Sequence, residues 1–300
     1  MRILIANDKF KGSLPAEKAG FHLKNSLETA FPQASFDLCP IADGGEGTAL
    51  AMTTALAGEW IRGTTQDAQG RPLEAPFGWV TSSATAIMEM SAASGLAIVH
   101  DLKLNPLTAS TLGTGILIQS ALAKGARRIL IGIGGSATND GGLGVAIALG
   151  YTFKKAGEPF TPTLETILEA DQVEKPASLP PFELIVACDV DNPLLGPRGA
   201  TRVYGPQKGV TDFAWFEQRL AHLADLARRD LGNDPRDMPG AGAAGGLGFG
   251  LMTFLGGRLV SGFDMVATQV GLEARVAAAD LVITGEGRLD EQSLQGKGPV

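Results

Sequence analysis

Short apolar runs of strand length recur along this 300-residue chain, and segments of helical period separate them. Residues 2–6 form the first run, continuous in the manner of a strand buried on both faces. It closes on Asn7-Asp8-Lys9-Phe10-Lys11. Ser13 and Pro15 then open a helix with Ala19, Leu23, Leu27 and Ala30 on one face, and Pro32 stops it. Phe36, Leu38 and Ile41 predict a second strand, followed by Asp43-Gly44-Gly45-Glu46-Gly47 and an alanine-rich helix. Residues 58–80 alternate around a turn at 67–72, the texture of antiparallel strands. Another strand is expected over 84–90 and a helix over 108–124. An apolar run at 127–133 enters Gly134-Gly135-Ser136-Ala137-Thr138-Asn139-Asp140-Gly141-Gly142, which leads into a helical segment at 143–150. Residues 154–181, with five prolines, read as an exposed excursion holding one short helix near 164–170. Buried strands at 182–188 and 279–284 flank an amphipathic helix over 213–231 and a helix opened by the glycine-rich stretch 239–248.

Strand and helix in alternation predict an α/β fold with a parallel, helix-covered sheet. The change of texture places a domain boundary near residue 66. Glycine numbers 40 of 300 residues, about twice the average share. With no collagen-like period, that excess belongs to turns and loops. A formal net charge of −7 argues against a nucleic-acid or anionic-membrane partner, though not against a small anionic substrate. Cys39 and Cys188 lie in separate apolar runs and read as buried free thiols of a cytoplasmic protein. The first residues lack a signal-peptide pattern, and no apolar run approaches membrane-spanning length.

The glycine loops carry the candidate chemistry. Bare backbone amides after a strand favour an anion, most often phosphate. Gly134, Gly135, Ser136, Thr138 and Asn139 are candidates for such a cradle, although the loop is neither a Walker A sequence nor Gly-x-Gly-x-x-Gly. The stretch containing Gly245 and Gly246 looks richer in glycine than packing requires, which also points to a phosphate or nucleotide. In open α/β sheets ligands bind beyond the carboxyl ends of strands. Lys9 and Lys11 stand at one such end, and Asp189-Val190-Asp191-Asn192 at another, where oxygen ligands suit Mg²⁺. Arg198 and Lys208 offer cations to an anionic substrate. His22, His100 and His222 lie beside no other candidate group and read as structural.

With these loops in view the chain resembles the bacterial glycerate kinases that phosphorylate the 2-hydroxyl. The motifs are Asp8-Lys-Phe-Lys-Gly-Ser13, Ala42-Asp-Gly-Gly-Glu-Gly47, Gly132 to Gly142, Cys188-Asp-Val-Asp-Asn-Pro193, Tyr204-Gly-Pro-Gln-Lys-Gly209, Gly240 to Gly248 and Thr284-Gly-Glu-Gly-Arg-Leu-Asp290, in that family's order. The resemblance covers essentially the whole chain. It implies a Rossmann-like parallel-sheet domain built from both chain ends, residues 1–66 and 279–300, with a larger mixed α/β domain, residues 67–278, inserted between them and the active site in the cleft. The family continues past Gly296-Lys297-Gly298-Pro299 with further strands and helices, so the chain reads as C-terminally truncated at Val300.

The activity implied is ATP- and Mg²⁺-dependent conversion of D-glycerate to 2-phosphoglycerate. Phosphoryl transfer needs chiefly positioning and charge neutralisation, and these are the groups present. Asp189 or Asp191 is expected as metal ligand or as base. Lys9, Lys11 and Lys208 would face phosphates or the substrate carboxylate. Glu286, Arg288 and Asp290 would complete the cleft, Asp290 as a further metal ligand. ATP and glycerate are then the partners, and a homodimer is compatible with the sequence. The alternatives are another small hydroxy-acid kinase, an enzyme binding a dinucleotide or phosphorylated sugar in the same loops, and a catalytically silent ligand-binding remnant.

Overall fold

Apolar strand runs packed by helices form two main sheets joined through a shared core, and a third, small sheet lies apart from them. A computed structural model of the chain describes residues 1–10, 13–42, 45 and 47–287. In chain order the first part comprises β1 (Arg2–Asn7), α1 (Ala16–Ala30), β2 (Ser35–Leu38), α2 (Thr48–Ala55), β3 (Glu59–Gln66), β4 (Pro72–Val80) and β5 (Thr85–Glu89). The middle comprises α3 (Ser91–Ser94), α4 (Leu112–Ala123), β6 (Arg128–Gly132), α5 (Leu143–Ala148), β7 (Thr152–Lys155), β8 (Glu158–Phe160), β9 (Gln172–Glu174) and β10 (Glu183–Ala187). The last part comprises α6 (Ala200–Tyr204), α7 (Phe213–Leu226), α8 (Ala243–Leu255), β11 (Arg258–Val260), α9 (Gly262–Val270), α10 (Leu272–Ala277) and β12 (Leu281–Gly285).

The fold is α/β, with β12-β1-β2 forming a wholly parallel sheet. The six-stranded sheet has the order β11-β10-β6-β5-β4-β3, parallel from β11 to β5 and antiparallel over β4 and β3. β3 pairs with β4 from Glu59 to Gln66, so the chain passes from one sheet to the other before β3 and not after residue 66. β12 returns to β1 after residue 279.

Side-chain alternation explains the layering. Ile129 and Ile131 of β6 face a core that includes Leu117 of α4, Val145 of α5 and Leu247 of α8. Leu130 faces the opposite core, with Met52 of α2, Met265 and Val266 of α9, and Leu4 and Ala6 of β1. That second core binds the two sheets together. The 154–181 stretch is more ordered than its prolines suggest. β7, β8 and β9 make a small antiparallel sheet there, with Phe153, Ile167 and Val173 buried and only a 3₁₀ turn at Ile167–Glu169 in place of the expected helix. Among the described residues no helix is long and apolar enough to cross a membrane.

Candidate active site

Register brings the candidate loops to one rim. Glu89 of β5, Gly132 of β6, Ala187 of β10 and Val260 of β11 are successive partners across the sheet. The segments beginning at Met90, Ile133, Cys188 and Ser261 therefore leave the sheet side by side, where open α/β sheets bind ligands. In the other sheet Asn7 pairs with Gly285, and the Asp8 amide donates to the Gly285 carbonyl at 2.9 Å. Lys9 and Glu286 follow directly. The two rims meet at glycine, because a Cβ placed on Gly134 would stand 3.8 Å from the Cα of Gly45.

Glu89 organises this junction. Its Oε1 accepts from the amides of Gly47 and Ala49, each at 2.9 Å, and Oε2 from Ser91 Oγ at 3.3 Å. The N-terminus of α2, which an anion could have used, is taken by a carboxylate from the neighbouring strand. Beside it Gly134 and Gly135 are exposed. The loop they open is held by a short bridge, with the Leu96 amide donating to the Gly135 carbonyl and the Ala137 amide to the Ser94 carbonyl, each at 2.9 Å.

Lys208 lies beneath that loop. It is 1 % exposed, and its Nζ donates to Ser136 Oγ and to the Thr138 carbonyl, each at 2.6 Å. Burial pulls its pKa down to about 7, against an opposing pull from Asp140. Asp140 is itself buried, and burial raises its pKa. Its Oδ2 accepts from the Thr111 amide at 2.8 Å, Thr111 Oγ1 at 2.9 Å and the Gly144 amide at 3.2 Å, so it ties the start of α4 to the start of α5. Thr138 and Asn139 are fully buried; Asn139 Nδ2 donates to Thr201 Oγ1 at 3.0 Å.

Asp189 and Asp191 part company. Asp189 is exposed at the end of β10, and its Oδ1 accepts from the Gly262 amide at 2.8 Å. Asp191 is also exposed, with both carboxylate oxygens 2.7 Å from Nη2 of Arg198, which holds its pKa below the usual range.

Sequence comparison supplies the context for these loops. The family model described as "Glycerate kinase family" matches residues 3–300. The chain belongs to the glycerate kinase family. The glycerate kinase of Bacillus subtilis (strain 168) is 46% identical over 306 residues, covering 100% of this chain and 80% of that protein. The glycerate 2-kinase of Escherichia coli (strain K12) is 42% identical over 310 residues, with 100% and 80% covered. The fold matches the crystal structure of the Salmonella typhimurium LT2 protein assigned as glycerate kinase 2, with a TM-score of 0.92 and 40% identity over 98% of this chain and 80% of that one.

Within this family fold, the sequence-derived candidates separate by position. Gly134, Gly135, Lys9, Glu286 and Asp189 leave the strands at the carboxyl rims. Ser136, Thr138, Asn139 and Lys208 form a buried layer behind the first loop. For Gly245 and Gly246 packing alone requires glycine, so an excess over packing needs is not what marks this stretch. A Cβ on Gly245 would lie 1.9 Å from the Thr138 carbonyl oxygen, and one on Gly246 would lie 2.9 Å from the Cα of Gly141. Both have positive φ, 69° and 88°. Lys11, Arg288 and Asp290 lie outside the described residues. Among the described residues no group of three or more His, Cys, Asp or Glu is placed to hold a metal ion. His222 Nε2 lies 2.9 Å from the Ala170 carbonyl, a structural contact. Sequence reasoning missed Glu89. It ends a buried strand as Asp189 follows one, and α2 has no acidic residue in its first turn to serve that cap itself.

Proposed function

We propose that this member of the glycerate kinase family transfers the γ-phosphoryl group of ATP to the 2-hydroxyl of D-glycerate, giving 2-phosphoglycerate. The observation that supports this most is the alignment of strand ends that leaves exposed Gly134 and Gly135 beside Gly45. Exposed glycine amides offer donors to phosphate oxygens with no side chain between. Lys9 supplies a cation at the neighbouring rim for the substrate carboxylate, and Glu286 lines the same rim.

Mg²⁺ typically takes one or two carboxylates and completes its shell with water and substrate phosphates, so a three-carboxylate cage is not needed. Asp189, exposed directly where β10 ends at the rim, fits that requirement better than Asp191, which lies two residues further along. When bound, the ion would neutralise charge on the transferring phosphates. The chain's own contribution is to orient: the 134–136 loop holds the donor, Lys9 the acceptor, and the 2-hydroxyl proton leaves toward the carboxylates of the rim. The bond from the bridging oxygen to the γ-phosphorus breaks as that from the glycerate oxygen forms.

The test is ADP release from ATP and D-glycerate with Mg²⁺, coupled to enolase. Direct formation of phosphoenolpyruvate is expected. ADP release that yields phosphoenolpyruvate only after a phosphoglycerate mutase is added would assign the 3-hydroxyl instead, and no ADP release would refute the reading.

A further inference from the structure

We propose that Glu89 is a positioning residue for phosphoryl transfer, setting the spacing between the Gly45 and Gly134 sides of the cleft by capping α2 from the neighbouring strand. The inference rests on the proposed kinase reading of this cleft. α2 begins after Gly47, which has φ 92°, and no side chain of its own N-cap bonds the first turn. Its first amides would need another partner, and Glu89 Oε1 serves Gly47 and Ala49 together. The next residue, Thr48, reaches back to the Gly45 carbonyl through its amide at 3.1 Å and through Oγ1 at 2.6 Å. Gly45 in turn stands against Gly134. On the other side Ser91, which Glu89 also engages, lies beside Gly135, where a Cβ would be 3.6 Å from the Ser91 Cβ. One carboxylate thus touches the supports of both glycine segments. These contacts go to the backbone amides of Gly47 and Ala49 and to the Ser91 hydroxyl, and through them Glu89 acts on the spacing of the cleft.

Glu89→Gln keeps an oxygen able to accept both amides, whereas Glu89→Ala leaves them without it. Steady-state kinetics on MgATP and D-glycerate should show kcat falling about 30- to 100-fold in the alanine variant, the scale of an ångström-sized misplacement. The glutamine variant should stay within about 3-fold of wild type, because the bonds and not the charge do the positioning. Hydrogen exchange at the Gly47 and Ala49 amides should speed up in Glu89→Ala alone, a readout independent of turnover. If Glu89→Ala does not fold, Glu89→Asp decides: one methylene shorter, it should lose about 10-fold in kcat. An alanine or aspartate variant at wild-type rate would overturn the proposal, as would a glutamine variant as impaired as alanine. An inactive wild-type chain would count against the kinase reading, while unchanged exchange at Gly47 and Ala49 in Glu89→Ala would count against Glu89 itself.

Discussion

Replacing Lys208 by methionine tests whether its ammonium is as poorly accommodated as its burial implies. Methionine keeps an unbranched apolar stem and cannot titrate. In the folded chain burial brings the lysine pKa from 10.5 to about 7. Between those values the unfolded chain holds a proton that the folded chain lacks. Unfolding then takes up a proton, and stability rises with pH, by about 1.4 kcal/mol per unit where the difference is complete. Below pH 7 both states are charged and this contribution is flat; above 10.5 both are neutral and it is flat again. From pH 7 to pH 9 the wild type should gain about 2 kcal/mol relative to Lys208→Met, after allowing for partial titration near the midpoint. Urea denaturation of both proteins at the two pH values gives the number, since other groups titrate in both and cancel. Stability curves that run parallel from pH 7 to 9 would mean the ammonium stays charged when buried, held by Asp140, and would refute the reasoning. The same variant leaves Ser136 Oγ and the Thr138 carbonyl without their donor, so its stability at pH 9 should lie below wild type by about 1–3 kcal/mol for each group left unsatisfied.

Two glycines that look alike in sequence should behave in opposite ways. Gly245→Ala forces a Cβ onto the Thr138 carbonyl at positive φ and should cost at least about 3 kcal/mol in a denaturant melt. Gly134→Ala makes only an ordinary van der Waals contact with the Gly45 Cα at 3.8 Å, so its melting temperature should match wild type, while kcat/KM for MgATP falls about 10-fold as the cleft narrows. Asp189→Asn should lower kcat about 100-fold, the scale of one group acting in the transition state. Asp191→Asn, which weakens an exposed, solvent-screened pair with Arg198, should change kcat less than about 3-fold and leave the denaturant midpoint unchanged. Equal losses in both aspartate variants would return Asp191 to the metal site.

Much of this arrangement could be read from residue order. Strands buried on both faces appear as unbroken apolar runs, and their polar ends mark the rim. That reasoning placed Asp189, Lys9 and the Gly134–Gly135 loop just beyond strand ends, where the structure has them. It failed where the deciding partner is distant in sequence. The packing need for Gly245 and Gly246 stays hidden in sequence because residues 138–141, against which they pack, are about a hundred positions away. Lysine is exposed by default, so nothing local shows that Lys208 turns inward to Ser136. Glu89 was hidden within a strand of apolar neighbours, though a carboxylate at the end of a buried strand is the same signal as Asp189. The β7–β8 hairpin escaped because its prolines outweighed a turn at Ala156 and Gly157, both with positive φ, that joins two short alternating segments.

The most direct test of the shared cleft is the response of individual glycine amides to MgATP, followed by nitrogen-15 resonance in the assigned protein. Shifts confined to Gly45, Gly134 and Gly135, with Gly245 and Gly246 unmoved, are the predicted result. Nucleotide-induced shifts centred on Gly245 and Gly246, with the Gly134 and Gly135 resonances unchanged, would contradict it.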